Sequence, residues 1–177
     1  VGVRPTLVVV SGPAGAGKTT LAHELAKRIG CPAVCRDEIK EGMVHAAPRA
    51  PRDELSLKAL GAFFGVVEHL LRAGVTTVAE AAFQDRLWRP GLEPLRDIAD
   101  VKVVHCVVDA EVAMERRVRR WRENPVRRAH EDEPVELGEF ERVTTTAPWM
   151  EVDTTDGYRP GLESVVAFVG LRGPELG

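Results

Sequence analysis

Gly12-Pro13-Ala14-Gly15-Ala16-Gly17-Lys18-Thr19 is the stretch that decides how the chain is read. It fits G-x-x-x-x-G-K-[ST], the P-loop pattern, whose backbone amides cradle phosphate oxygens. The flanks give the pattern weight. Before it, Leu7-Val8-Val9-Val10 is short, apolar and β-branched, as a buried strand is. After it, Leu21, Leu25 and Ile29 recur at four residues, with Ala22 and Ala26 beside them and Gly30 closing the helix. Strand, loop and helix thus follow in the order that aims N–H groups at an anion from a helix N-terminus. Gly12, Gly15 and Gly17 permit the positive φ and the close approach of such a turn. On this pattern Pro13, Ala14, Ala16 and Thr20 share the nucleotide cradle, Lys18 reaches the β- and γ-phosphates, and the Thr19 hydroxyl meets Mg²⁺. A glycine-rich turn that only links two elements does not require Lys-Thr at the helix start.

Composition narrows the class. The chain has 177 residues and a net charge of −3, which suits one domain, 1–177, with a real core and argues against bulk electrostatic binding of nucleic acid. No apolar run approaches the roughly 20 residues that span a bilayer. Residues 1–10 read as a first strand rather than a leader peptide, so no membrane partner is expected. Cys31, Cys35 and Cys106 are odd in number and lack C-x-x-C spacing. They read as reduced thiols of a cytoplasmic protein.

Beyond the first helix, Ala33-Val34-Cys35 predicts a second strand that ends in Arg36-Asp37-Glu38. A short helix is expected from Glu38, then an irregular connection over 42–51. Asp53 is placed to cap a helix whose apolar stripe is Leu57, Leu60, Phe64, Val67 and Leu71. Phe63 and Phe64 read as core, and His69 as a surface or packing residue. Val75-Thr76-Thr77-Val78-Ala79 predicts a third strand ending at Glu80. A helix over 88–99 broken by proline, a fourth strand over 101–108 and an arginine-rich helix from Asp109 or Ala110 to Asn124-Pro125 follow. A helix over 136–142, a fifth strand at Trp149-Met150-Glu151-Val152-Asp153 and a closing helix over 162–169 complete the pattern. Alternating strands and helices imply an α/β fold with a parallel sheet. A lid at about 116–135 and an acceptor-binding segment at about 41–72 are the segments inserted into it.

A P-loop binds a nucleoside triphosphate, and the surrounding groups decide the fate of its γ-phosphate. Side chains at the carboxyl end of a parallel strand face the ligand crevice. Asp37 sits there, as a carboxylate that accepts a proton from a substrate hydroxyl or orients it, or as a helix N-cap. Glu80 is placed to hold Mg²⁺ through water or to orient the acceptor. Arg116 and Arg120 share a helix face, with Arg127 and Arg128 beyond, and at least one is expected to reach the nucleotide.

Taken in order, Gly12 to Thr19, Arg36-Asp37-Glu38-Ile39-Lys40, Glu80, and Arg116 with Arg120 and Arg127 resemble the small P-loop kinases of the zeta-toxin, chloramphenicol phosphotransferase and polynucleotide 5′-kinase group. The resemblance implies a three-layer α/β/α sandwich around a five-stranded parallel sheet of order 2-3-1-4-5. It makes Asp37 the base for the acceptor hydroxyl. Arg116, Arg120 and Arg127 resemble the adenine- and phosphate-facing arginines of the group's lid helix. Asp153-Thr154 lies where the loop after the last strand touches adenine in these kinases. Arg36-Asp37-x-x-Lys40 is similar to the Arg-Asp-x-x-Arg of polynucleotide kinases, with Lys40 in place of the bidentate arginine.

Three functions follow. One is a kinase that uses ATP and Mg²⁺ to phosphorylate a hydroxyl of a small molecule (an antibiotic, nucleoside or sugar nucleotide). In it Lys18, Asp37 and Arg120 do the catalytic work, and Thr19 and Glu80 hold the metal. The second is a polynucleotide 5′-hydroxyl kinase, with nucleic acid as partner. The third is a nucleotide-dependent switch or adaptor with little transfer.

Overall fold

The computed structural model describes residues 4–130, 134 and 138–170, with the backbone alone at 128–130. In chain order the elements are β1 (Thr6–Ser11), α1 (Lys18–Ile29), β2 (Ala33–Cys35), α2 (Arg36–Ala46), α3 (Arg52–Arg72) and β3 (Thr77–Ala81). They continue with α4 (Asp85–Leu92), a 3₁₀ turn (Pro94–Asp97), β4 (Asp100–Val107), α5 (Ala110–Glu123), α6 (Pro125–His130), β5 (Trp149–Asp153) and α7 (Leu162–Val169). The five strands pair in parallel in the order β2-β3-β1-β4-β5. That is the sheet implied by the family resemblance.

β1 lies between β3 and β4, and all six of its residues are buried. Successive side chains of a strand point to opposite faces. Leu7 and Val9 therefore join a core with Phe63, Val67 and Trp88 under α3 and α4. Val8 and Val10 join a second core with Leu21, Leu25 and Val165 under α1 and α7. Burial on both faces is why this strand reads as an unbroken apolar run. Rings of Phe63, Phe64, Phe83 and Trp88 pack with centroids 5.1 to 6.0 Å apart, mostly edge to face. The Trp88 indole N–H donates to Ser11 Oγ at 3.0 Å, which satisfies its polar end and ties α4 to the last residue before the loop.

Several expectations need correction. Leu57 is 71% exposed; the buried stripe of α3 is Leu55, Ala59, Phe63, Val67 and Leu71. Asp53 does not cap α3, whose N-cap is Pro51, and lies instead in its first turn. Asp37 is not an N-cap either, because Cys35 holds that position and no side chain caps α2. Residues 42–46 continue α2, anchored by buried Val44, rather than forming loop. β3 starts at Thr77 and runs through Glu80 to Ala81. The helix expected over 88–99 divides into α4 and the 3₁₀ turn. Residues 138–142 are not helical, and 135–137 lie outside the described residues. His69 is exposed on α3.

Candidate active site

The loop between β1 and α1 is pressed against its neighbours. A Cβ on Gly12 (φ +150°) would lie 2.4 Å from the Cys106 carbonyl oxygen of β4. One on Gly15 (φ +87°) would lie 2.4 Å from the Ala113 carbonyl oxygen of α5. These two glycines are thus required by packing as well as by backbone conformation. Thr154, just after β5, braces the loop from the other side: its hydroxyl lies 2.9 Å from the Ala16 carbonyl oxygen and 3.1 Å from that of Val107.

Lys18 opens α1 and is buried. Its Nζ donates to the Pro13 carbonyl at 2.8 Å and lies 3.9 Å from Glu80 Oε1. The Thr19 hydroxyl donates to Glu80 Oε2 at 3.1 Å. Glu80 arrives there because β3 pairs with β1 in a register that sets it beside Val10. Burial lowers the Lys18 pKa, against the opposing pull of Glu80 and Asp37. Burial likewise raises the Glu80 pKa, against the pull of Lys18. Both charges are costly here before any ligand arrives. Two hard oxygen donors side by side, one of them a carboxylate, fit a small divalent cation such as Mg²⁺.

Asp37 is in the first turn of α2, across the cleft from the loop. Arg36 Nη1 lies 3.1 Å from its Oδ1 and Arg127 Nη2 lies 3.6 Å from its Oδ2. Arg127, from α6, also pairs with Glu41 at 2.9 Å. Burial pushes the Asp37 pKa up, but Arg127 and Arg36 outweigh it and hold the carboxyl below its ordinary value. The group is therefore a carboxylate at neutral pH.

Two clefts meet at the loop and share Gly17 and Arg120. One, of about 460 Å³, is bounded by Thr20, Arg116, Thr154, Gly157 and Tyr158. The other, of about 430 Å³, holds Ala14, Gly15, Lys18, Thr19, Asp37, Lys40, Glu80 and Arg127. Arg116 donates to the carbonyls of Thr154 (2.8 Å) and Thr155 (3.1 Å), which clamps α5 onto the loop after β5. The Asp153 carboxylate accepts the Thr155 N–H at 2.8 Å, which lowers its pKa, and does not line either cleft. Arg127 meets Asp37 in the second cleft. The side chains of Arg128 and His130 lie outside the described residues.

Sequence reasoning missed some of the lining. Arg52, Asp53 and Ser56 bring the first turn of α3 to the second cleft, with Arg117 opposite. The capping pattern at Asp53 was the available signal, and it marked the right turn for the wrong reason. Tyr158, on the first cleft, is the chain's single tyrosine. Burial, and then Glu24 beside it, pushes its phenol up to about 12.

A family model described as an AAA domain, AAA_33, matches residues 7–142. The chain belongs to the AAA_33 family. The match runs from β1 through the P-loop, Asp37, Glu80 and α5, so it takes in the second cleft and the α1 and α5 walls of the first, but not Thr154, Gly157 or Tyr158. A bifunctional pantoate ligase/cytidylate kinase from Gloeobacter violaceus is 32% identical over 100 residues, covering 56% of this chain and 19% of that protein. The AAA_33 chain thus spans only a small part of the curated relative it matches. Among solved structures, a kinase candidate from Chloroflexus aurantiacus superposes with a TM-score of 0.84 at 24% identity, over 96% of this chain and 99% of the other. A sugar kinase from Janibacter sp. superposes with a TM-score of 0.66 at 21% identity, over 94% and 95%. These likenesses establish the α/β P-loop kinase fold for this member of AAA_33. No described helix is long and apolar enough to cross a membrane.

Proposed function

We propose that the chain is a kinase that transfers the γ-phosphate of ATP, with Mg²⁺, to a hydroxyl group of a small molecule. The observation that carries this reading is Asp37. Its carboxylate is held ionised by Arg36 and Arg127 in the same cleft as Lys18, Thr19 and Glu80. A carboxylate across the cleft from the phosphates is placed to accept the proton of an acceptor hydroxyl and to orient it.

The division of labour follows from placement. The loop amides and Lys18 would bind the β- and γ-phosphates, with Lys18 exchanging its bond to Pro13 for a phosphate oxygen. Thr19 and Glu80 would hold Mg²⁺, whose charge offsets that of the phosphate oxygens. Arg120, shared by both clefts, would face the charge that builds as the phosphoryl group moves. Thr20, Thr154 and Tyr158 would bound the adenosine side. In the transfer, the acceptor oxygen bonds to the γ-phosphorus, the bond from phosphorus to the β–γ bridging oxygen breaks, and ADP leaves. The hydroxyl proton passes to Asp37 and then to water. Positioning and charge neutralisation supply most of the catalysis in such reactions. Arg52, Asp53 and Ser56 offer charged and hydroxyl contacts to the acceptor's far end. Transfer of γ-labelled phosphate to a panel of hydroxyl compounds tests the reading, with ATP binding measured separately.

A further inference from the structure

Behind the acceptor cleft, three elements bring together three different ligand types. His23 comes from α1, Cys35 ends β2, and Glu38 lies in the first turn of α2. His23 Nε2 lies 2.7 Å from Glu38 Oε1 and 3.7 Å from Cys35 Sγ. All three donor atoms fall within 4.8 Å of one another. We propose that His23, Cys35 and Glu38 form a binding site for one borderline-soft divalent cation such as Zn²⁺, completed by a water.

The geometry is close to what such an ion needs. Zinc bonds of about 2.3 Å to sulfur and about 2.0–2.2 Å to nitrogen and oxygen set tetrahedral separations of about 3.5–3.7 Å for sulfur–nitrogen and about 3.3–3.5 Å for nitrogen–oxygen. The sulfur–nitrogen distance already lies near the first value. The nitrogen–oxygen pair must open by about 0.7 Å, which the half-exposed Glu38 side chain can do by giving up its direct contact with His23. In the absence of an ion, hydrogen bonds join the same groups: Glu38 meets His23, and the Cys35 thiol meets His23 and Glu80, so the ion would take the place of the thiol proton. The order of burial also suits a site with an access route: Cys35 forms the closed floor, while His23 and Glu38 stand at the solvent side, where a water can enter as fourth ligand. A thiolate and an imidazole favour Zn²⁺, Co²⁺ or Cu²⁺ over Mg²⁺, which prefers six oxygen ligands. Binding costs the Cys35 thiol its proton, which is released to solvent. The ion would then tie α1, β2 and α2 together next to Asp37. The inference rests on these three side chains and not on the kinase reading.

The test is a Co²⁺ titration of the reduced full chain in excess Mg²⁺. The expected result is a sulfur-to-cobalt charge-transfer band that saturates at one equivalent and is bleached by Zn²⁺. Cys35→Ser should abolish the band and Cys31→Ser should keep it. His23→Gln, a change at a half-exposed position that leaves the core intact, should weaken the affinity by about tenfold or more. At the same concentration, Zn²⁺ should raise the Tm of the wild type by more than that of His23→Gln. No band at one equivalent, a band that survives Cys35→Ser, or an affinity unchanged in His23→Gln would overturn the proposal.

Discussion

The two sides of the central cleft are built differently. On the phosphate side the backbone does the positioning. Gly12 and Gly15 sit against carbonyls of β4 and α5, Lys18 follows directly at the start of α1, and strand register delivers Glu80. Across the cleft, side chains do it. Asp37 is held by Arg36 from its own helix and by Arg127 from a segment ninety residues on, which Glu41 also binds. Backbone placement leaves little choice of residue and little freedom to move. Side-chain placement can be rebuilt from one protein to another, which is what acceptor choice requires.

The contrast predicts separable defects. The largest is expected on the phosphate side: Lys18→Met should reduce transfer by about 10³-fold, as loss of a preorganised charge donor does. It should weaken ATP binding as well, and calorimetry beside a transfer assay reads both. Asp37→Asn should cost about 10²-fold in turnover, with ATP affinity near that of the wild type. If ATP affinity falls as steeply as turnover, the two sides are not separable. Gly12→Ala places a Cβ where the Cys106 carbonyl stands, and should lower stability by about 1–3 kcal/mol in urea unfolding.

Acid sharpens the comparison further. Glu80 has a raised pKa, so its carboxylate form is lost as pH falls through a value above the ordinary carboxylate range. Asp37 has a lowered pKa and stays ionised through that interval. The acid limb of kcat/KM, which reports the free enzyme, should therefore lie above the ordinary carboxylate range. A profile flat down to that range would contradict the assignment to Glu80. The smallest effect is expected at Leu57, where Leu57→Lys should change stability by no more than about 0.5 kcal/mol in the same unfolding experiment.

The same contrast explains what could be read from sequence. β1, the P-loop, α1 and the place of Glu80 were legible because each follows from local pattern and strand order. Asp37 was legible as a strand-end carboxylate. Its arginine partners were not jointly legible, since nothing local links Arg127 to Glu41. The stripe on α3 was misread because Leu57 outweighs Ala59 on hydrophobicity, whereas it is Ala59, wholly buried, that the packing selects. The length of α2 was underread because Gly42 suggests a break, although no neighbour crowds it and buried Val44 holds the helix beyond it. The contribution of α3 to the cleft through Arg52, Asp53 and Ser56 depends on how that helix docks, which no spacing encodes.

The most direct test of the central claim is transfer of label from γ-labelled ATP, with Mg²⁺, to pooled antibiotics, nucleosides, sugar nucleotides, sugars and 5′-hydroxyl oligonucleotides, comparing wild type with Asp37→Asn. The account predicts label on a small-molecule pool with the wild type, and its loss in the variant while ATP still binds. Label carried to water alone in every pool, or Asp37→Asn transferring at the wild-type rate, would contradict it.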